Sequence, residues 1–326
     1  MVNIDINELQ ELDDNGIPII KACLVASLFF HKGYEYKKRK AIRDCFNEYM
    51  DLCDKHIHWV FGAAKDRRKE VILEDFIPST FLVADSFDEN NSWEFTWSGG
   101  EHWKAASEYK ISAFANQKQI SDHRNSLDFL TIHFPLLFFK DKEVGFPSLL
   151  ERWAEKLNAD YGYGGIGIAT SNDYGHAQKF ENIVYSLSKR FPGLEVNQPS
   201  NHSLAMELHK AHSNINEGIK GGSWITILSN RWVDKLGGIT ELEKSLKKPL
   251  SLHSYNGGVL LLSGNRPEVG DVNLDIDTPN YKKVAKILKP IRLNFHPAIH
   301  GGLFNDDVPV LDAERMTKWL NRFDDT

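Results

Sequence analysis

The chain contains 326 residues, of which 41% are hydrophobic and 26% are charged, and its formal net charge is −6. This length leaves room for a sizeable core in one large domain or in two lobes. The negative charge argues against non-specific binding to nucleic acids or anionic membranes and mildly favours a basic partner. We therefore expect no nucleic-acid partner and no membrane partner.

The cysteines and the N-terminus predict the compartment. The three cysteines, Cys23, Cys45 and Cys53, form no C-x-x-C pair, and such a sparse, odd number is typical of a reducing compartment. The first residues lack the basic region and the cleavage site of a signal peptide. The apolar run at residues 23–30 is too short to cross a bilayer. We therefore expect a cytoplasmic protein.

The first 140 residues are predicted to be rich in strands. Residues 19–30 form a continuous apolar run with β-branched and aromatic members, which indicates a buried strand. Residues 34–59 carry apolar side chains at the spacing of one helical face. Residues 76–83, 111–115 and 127–139 are further strand candidates.

An acidic and aromatic window at residues 84–103 stands out within this half. It contains no lysine or arginine, and within it aromatic residues alternate with Glu94 and Thr96 at the period of a strand. The five acids are Asp85, Asp88, Glu89, Glu94 and Glu101, and the five large aromatics are Phe87, Trp93, Phe95, Trp97 and Trp103. Alternating aromatics are what a half-buried strand needs, so a purely structural role for the rings is the first interpretation.

The second half alternates helices and strands. Apolar periodicity and end signals predict, in chain order, a helix from residue 148, a glycine-rich strand at 162–170, a helix at 173–190, strands at 224–228 and 258–262, a helix at 278–289 and a last helix capped by Asp312. We expect the helix at 278–289 to bury Val284 and Leu288 against the sheet that holds the last two strands.

The order of these elements predicts the fold class. Several strands follow one another before residue 140, and this favours an α+β fold over a regular doubly wound sheet. We expect mixed β-sheets flanked by amphipathic helices and arranged in two lobes. Residues 1–140 would form a strand-rich N-terminal lobe, and residues 141–326 a C-terminal α/β lobe, unless the two halves form one continuous domain.

No motif predicts catalysis, a cofactor or a metal. Residues 162–167 spell G-x-G-x-x-G, but a helix precedes the glycines and a strand follows them, the reverse of a dinucleotide site. We expect these glycines to end that helix and to permit close packing. The histidine pairs lack zinc-site spacing. Asp271, Asp275 and Asp277 could bind a divalent cation, but their positions beside a turn and a helix start favour structural roles.

The second half also contains short motifs made of glycines, turn acids and apolar anchors. They are RWAE at 152–155, GYGGIGI at 162–168, RWVDKLGG at 231–238, GGVLLL at 257–262, GDVN at 270–273, YKKVAKILKPIR at 281–292 and WLNRFD at 319–324. Together these motifs resemble the type VI secretion immunity family (TsiV-like), formerly a domain of unknown function. The resemblance extends from about residue 126 to the end.

The resemblance implies a non-enzymatic, cytoplasmic immunity protein. Members of this family bind and neutralise a cognate toxin that is delivered between bacteria, often a restriction-endonuclease-type DNase. The partner would therefore be a nuclease effector, with no cofactor and no metal. The alternative is a small-ligand-binding protein or an enzyme with an unrecognised site, which would need a pocket with converging polar groups.

A nuclease cleft must attract phosphates, so a protein that plugs it does best with acids for steering and aromatics for anchoring. The window at 84–103 has both. The toxin-interface candidates are Asp85, Phe87, Asp88, Glu89, Trp93, Glu94, Trp97 and Glu101.

Overall fold

The computed structural model describes residues 5–6, 9–61, 69–70, 78–299 and 309–324. Within them, one eleven-stranded sheet runs through the molecule. Its strands are β1 (Gln10–Leu12), β2 (Pro18–Phe30), β3 (Trp59–Phe61), β4 (Lys69–Glu70), β5 (Trp93–Ser98), β6 (Lys110–Ala115), β7 (Asp128–Phe134), β8 (Tyr161–Thr170), β9 (Ile225–Ser229), β10 (Ser251–Tyr255) and β11 (Gly258–Leu262).

Helices border this sheet and connect its strands. They are α1 (Tyr36–Cys53), α2 (Pro78–Phe81), α3 (Lys118–Arg124), α4 (Phe146–Leu157), α5 (Tyr174–Gln178), α6 (Glu181–Arg190), α7 (Pro199–Glu207), α8 (Asn230–Lys235), α9 (Ile239–Ser245), α10 (Pro279–Leu288) and α11 (Ala313–Leu320). None of the described helices is long and apolar enough to cross a membrane.

The strand order is β10-β11-β9-β8-β2-β7-β6-β5-β3-β4, with β1 added beside β2. All pairings between these strands are antiparallel. The α+β class is therefore confirmed, but the expectation of mixed sheets is wrong. The tight turn between β10 and β11 permits only antiparallel pairing, since parallel neighbours need long crossovers.

The expected two lobes are not shown, because β2 from the first half pairs with β7 on one side and with β8 of the second half on the other. The division at residues 140 and 141 stays a prediction. Hydrogen-bonded on both edges and covered on both faces, β2 is nearly all buried, as its continuous apolar run predicts.

One face of the β5–β6–β7 region packs against α1, and we call it the inner face. Alternate residues of β5 and β6 point to it, including Trp97, which is 2% exposed. The Phe46 ring of α1 meets the Trp97 and Phe95 rings edge-on at centroid distances of 5.2 and 5.6 Å. Edge-to-face aromatic pairs of this kind add to the stabilisation that their buried area provides.

The glycines of the G-x-G-x-x-G run lie inside β8 and do not end a helix, so that prediction is wrong. The preceding helix, α4, ends at Leu157 and is capped by Asn158 in the left-handed region at φ 42°. Close packing is confirmed. A Cβ on Gly164 would lie 2.8 Å from the Leu150 side chain, and one on Gly167 would lie 2.5 Å from the Val25 side chain. Glycine is therefore needed where α4 and neighbouring chains approach the strand.

Two other predicted elements are corrected. The strand predicted at 76–83 is a short helix, α2, over its described part, since Pro78 occupies the first helical turn, where its missing N–H costs nothing. Residues 76 and 77 lie outside the described residues. The helix predicted at 173–190 is two helices, α5 and α6, separated at residues 179–180.

The predicted core of the second half is confirmed. β9 and β11 pair in register from Ser229↔Gly258 to Ile225↔Leu262. Val284 and Leu288 of α10 are both fully buried, in one cluster with side chains of these two strands. Each of these two side chains stabilises the fold by about 1.5–3 kcal/mol through burial.

Candidate functional site

The acidic window at 84–103 is divided between core and surface by the alternation of β5. Trp93, Phe95 and Trp97 are 4%, 1% and 2% exposed and belong to the inner-face core. The structural interpretation of these rings is confirmed. Trp93 and Trp97, both predicted at the toxin interface, therefore lie away from the surface in this conformation.

The remaining aromatic candidate, Phe87, is half-buried and packs within the fold. Its ring lies 5.5 Å from the Phe81 ring, and the Arg39 guanidinium sits 3.7 Å above it. Arg39 also donates to the Leu82 carbonyl at 2.6 Å. Phe87 therefore anchors the turn after α2 to α1.

Two of the five acids hold the turn before β5 in place. Asp88 accepts hydrogen bonds from the backbone N–H and the side chain of Asn90, each at 2.9 Å. Glu89 forms an ion pair with Lys118 at 2.7 Å. The polar residues are therefore dense here because several of them stabilise the turn.

The other three acids differ, because no ion pair within the described residues involves them. Asp85, Glu94 and Glu101 are exposed, and within the described part of the chain no cation lies within ion-pair distance of their carboxylates. Glu94 points away from the core, as Thr96 does, so these two mark the opposite side of the strand. We call this side of β5, β6 and β7 the outer face.

The outer face forms the floor of a groove of about 350 Å³, which we call the polar groove. Its second wall comes from α5 and the start of α7. Its lining residues are Glu94, Thr96, Lys110, Ser112, Ala113, Phe114, Phe129, Thr131, His133, Ile168, Thr170, Ser171, Asn172, Tyr174, Ala177, Asn197, Gln198, Pro199 and Ser200. The groove is therefore made mostly of hydrogen-bonding side chains.

A row of hydroxyl groups crosses this floor from strand to strand. The register pairs Thr96 with Ser112, Ser112 with Thr131, and Thr131 with Ser27. The side-chain oxygens of Thr96 and Ser112 are 2.7 Å apart, and Ser27 donates to Thr131 at 2.9 Å. Directly opposed side chains on one face of a sheet interact in this way.

Asn197 joins the deeper end of this row to a buried histidine. Its amide donates to the Thr131 hydroxyl at 3.2 Å and to His133 Nε2 at 3.0 Å, and its oxygen accepts from Tyr163 at 2.8 Å. His133 Nδ1 in turn faces the Ser107 carbonyl at 3.3 Å, so Nδ1 carries the proton and Nε2 accepts. Burial, with Lys110 close by, lowers the pKa of His133 to about 3, so the ring is neutral.

Lys110 is the cation of the polar groove. It is partly buried, and burial lowers the pKa of its amine to about 8. Burial raises the pKa of the Cys23 thiol, so this thiol is neutral and supplies no counter-charge to the amine. The groove therefore contains a desolvated amine whose charge no carboxylate of the described chain balances.

Sequence reasoning identified Glu94 but missed Lys110, His133 and Asn197. The alternation of Lys110 and Ser112 with Ile111 and Ala113 was the available signal for an outer polar face. Asn197 lies in a loop far from these strands in sequence, so no local pattern could place it there.

The other sequence candidates have structural partners. Asp271 receives two hydrogen bonds from Arg190, at 3.0 and 2.8 Å, and Asp277 pairs with Lys282 at 2.7 Å, which confirms their structural roles. Asp275 takes the left-handed conformation at φ 54°. His296 faces His202 at 2.8 Å, and His300 lies outside the described residues. No three His, Cys, Asp or Glu side chains of the described residues converge as metal ligands would.

Comparisons with known proteins agree with one another. The family model described as "TsiV: Type VI immunity for VRR-NUC" matches residues 41–323. Among solved structures, the Pseudomonas aeruginosa T6SS protein PA0821 matches with a TM-score of 0.86 at 22% identity, over 97% of this chain and 88% of that one. At this identity the structural likeness establishes a shared fold. No curated protein matches the sequence significantly.

Proposed function

Because this chain belongs to the type VI immunity family for VRR-NUC, a match that covers residues 41–323, we propose that it neutralises its toxin by direct contact through the acidic window at 84–103. The chain is an immunity protein whose partner is a cognate VRR-NUC nuclease toxin. The contact surface would include the exposed carboxylates Asp85, Asp88, Glu94 and Glu101, with Glu89 at its edge.

The observation that carries this proposal is the set of unpaired acids on that surface. Asp85, Glu94 and Glu101 have no described cation to balance them, and residues 84–103 contain no lysine or arginine. A nuclease must attract a phosphate backbone, so the region around its cleft is expected to be basic. Acids facing such a cleft accelerate the encounter and set its orientation.

Charge reversal tests the proposal. Asp85→Lys combined with Glu101→Lys leaves the turn contacts of Asp88 and Glu89 intact, so the fold should be unaffected. We expect association with the toxin to slow by about tenfold or more at low salt, and the slowing to shrink as ionic strength rises, because surface charges are screened. Stopped-flow or interferometric association rates at several salt concentrations measure this.

A matched control uses acids elsewhere on the surface. Asp234 and Glu243 are exposed on α8 and α9, and reversing both makes the same change in net charge. Association that slows equally in the control pair would mean that only net charge matters. Unchanged rates in the Asp85 and Glu101 pair would remove the acidic window from the interface.

We also place the neutralisation in the cytoplasm. A nuclease that cleaves chromosomal DNA acts where the DNA is, so its inhibitor is needed there. The three cysteines are buried and none of them forms a disulfide bond, as in proteins of a reducing compartment. Cells that produce the chain with an export signal should lose protection from the toxin, whereas cells that retain it should survive. Equal survival would contradict this location.

A further inference from the structure

The polar groove carries opposite charges at its two ends. Glu94 lies across from Phe114 in the register of β5 and β6, and Lys110 lies across from Ser98. Four residues of extended strand therefore separate the two charges, which corresponds to roughly 13 Å along the strands. The row of hydroxyls at Thr96 and Ser112 lies between them.

Neither charge is balanced by the groove itself. On the sheet side, Lys110 has the neutral His133 as its partner in the register of β6 and β7. The opposite wall contributes side chains without charge, from Thr170 and Ser171 through Tyr174 to Asn197 and Gln198. A nearby ion pair, Lys21 with Glu108 at 3.1 Å, neutralises itself. A partner that carries a carboxylate and a cation at this spacing would therefore complement both ends of the groove.

The form of the groove favours a segment of a protein over an enclosed small molecule. Small-ligand sites bury most of their ligand. Here Glu94 is exposed at one end, and Tyr174, 60% exposed, stands on the rim. Tyrosine is enriched among the residues that carry most of the binding energy at protein interfaces. Side chains four residues apart in an extended segment point to the same side, so one segment can reach both charges.

We propose that the polar groove receives an extended segment of the toxin that sets a carboxylate against Lys110 and, four residues away, a cationic side chain against Glu94. The partly exposed hydroxyls of Thr96 and Ser112 bond the polar groups between the two charges. This inference rests on the proposed function, since it names the part of the partner that the outer face recognises. The polar groove would thus be a docking site in addition to the acidic window at 84–103, whose acids steer the encounter.

The first test removes the charge of Lys110. Lys110→Met keeps the apolar stem and removes the amine, and we expect the dissociation constant for the purified cognate toxin to rise at least tenfold, mainly through faster dissociation. Lys110→Glu should weaken binding further, because the new carboxylate would face the carboxylate of the toxin segment and repel it. Lys37→Glu, on the exposed side of α1, makes the same charge change and should bind like the wild type.

The second test reports the ion pair directly. Lysine side chains of the whole chain are dimethylated with ¹³C, and the pKa of Lys110 is measured by NMR with and without the toxin. A carboxylate at hydrogen-bond distance raises the pKa of an amine, so the value should rise on binding. A further fall in the pKa would show that the toxin covers Lys110 without a carboxylate, and it would overturn the proposal.

The third test separates a segment of the toxin from a small molecule. Acetate and a free glutamyl-lysine dipeptide should leave the Lys110 resonance unchanged at millimolar concentration. A synthetic toxin peptide with a carboxylate and a cation four residues apart should shift it. Saturable binding of acetate or the dipeptide alone would instead make the groove a small-ligand site and contradict the proposal.

The polar groove and the acidic window are tested by different variants, so their outcomes can be told apart. If the wild-type chain inhibits the nuclease and the Lys110→Met and Lys110→Glu variants inhibit it equally well, the docking site is wrong and the immunity function stands. If reversal of Asp85 and Glu101 has no effect while Lys110→Met weakens binding, the groove is the interface and the steering surface is wrong.

Discussion

The two faces of β5, β6 and β7 differ as completely as one sheet allows. On the inner face, Trp97 and its neighbours pack against Phe46 of α1, and nearly every partner is apolar. On the outer face of the same strands, the register aligns hydroxyls, Lys110 and His133. Because successive residues of a strand point to opposite sides, substitutions on one face leave the other nearly untouched.

This difference separates stability from recognition. The inner face is completed by packing within the chain, since its apolar side chains are surrounded by other side chains. The outer face is incomplete, because it holds a desolvated amine at Lys110 and an exposed carboxylate at Glu94 without counter-ions in the described residues. An inner-face substitution should therefore destabilise the fold, whereas an outer-face substitution should weaken binding without a large loss of stability.

The largest expected effect comes from Trp97→Ala on the inner face. Trp97 is 2% exposed, and its loss leaves a cavity beside the Phe46 ring. We expect the free energy of unfolding to fall by about 3–5 kcal/mol. Urea unfolding followed by circular dichroism measures the change.

Trp97→Phe is the matched control. Within the described structure the indole nitrogen of Trp97 is buried without a hydrogen-bond partner, so phenylalanine removes an unsatisfied donor while it keeps a ring. The free energy of unfolding should fall by only about 1 kcal/mol, because removal of the unsatisfied donor partly offsets the lost ring volume. A loss as large as that of Trp97→Ala would mean that the indole nitrogen has a role that packing does not explain.

Much of the inner face could be predicted from sequence, because it follows from local periodicity. The alternation of Trp93, Phe95 and Trp97 predicts a buried strand face, and the spacing of Val284 and Leu288 predicts a buried helix face. The predictions were wrong where contacts between residues distant in sequence determine the local structure. The glycines of β8 looked like a helix end because their close neighbours, such as Leu150, are distant in the chain.

The outer face could not be assembled from sequence. The hydroxyl row exists only because four strands align Thr96, Ser112, Thr131 and Ser27 at one level, and that register is a tertiary property. The acidic window was recognised because its acids are adjacent in the chain. Lys110 and Asn197 stand alone in sequence, so nothing marked them.

Lys110→Met on the outer face should stabilise the free protein, whereas most substitutions destabilise a fold. Burial lowers the pKa of Lys110 to about 8 from its ordinary value of 10.5, so folding at neutral pH keeps a charge where it is disfavoured. Lys110→Met should therefore raise the free energy of unfolding of the free protein at pH 7. Since the amine is only partly buried, we expect a gain of about 1–3 kcal/mol.

The pH dependence follows from the direction of this shift. Between pH 8 and 10.5 the unfolded chain holds a proton on Lys110 that the folded chain has released, so wild-type stability from this group rises with pH across that window. The advantage of Lys110→Met should be largest below pH 8 and should vanish near pH 11. Urea titrations of both proteins at pH 7, 9 and 10.5 measure the difference. An advantage that does not depend on pH would show that packing, and not charge, is responsible.

The smallest expected effect on stability comes from Thr96→Val, within the hydroxyl row. Valine has nearly the same shape and favours a strand, but it removes the contact with Ser112 at 2.7 Å. The hydroxyl is partly exposed, so Ser112 can turn to water, and the free energy of unfolding should fall by only about 0.5–1 kcal/mol. If the outer face serves recognition, the same substitution should weaken toxin binding severalfold, because a buried polar group of the partner then loses its own bond. A variant that loses several kcal/mol in folding and nothing in binding would show that the outer face, like the inner face, is built for stability.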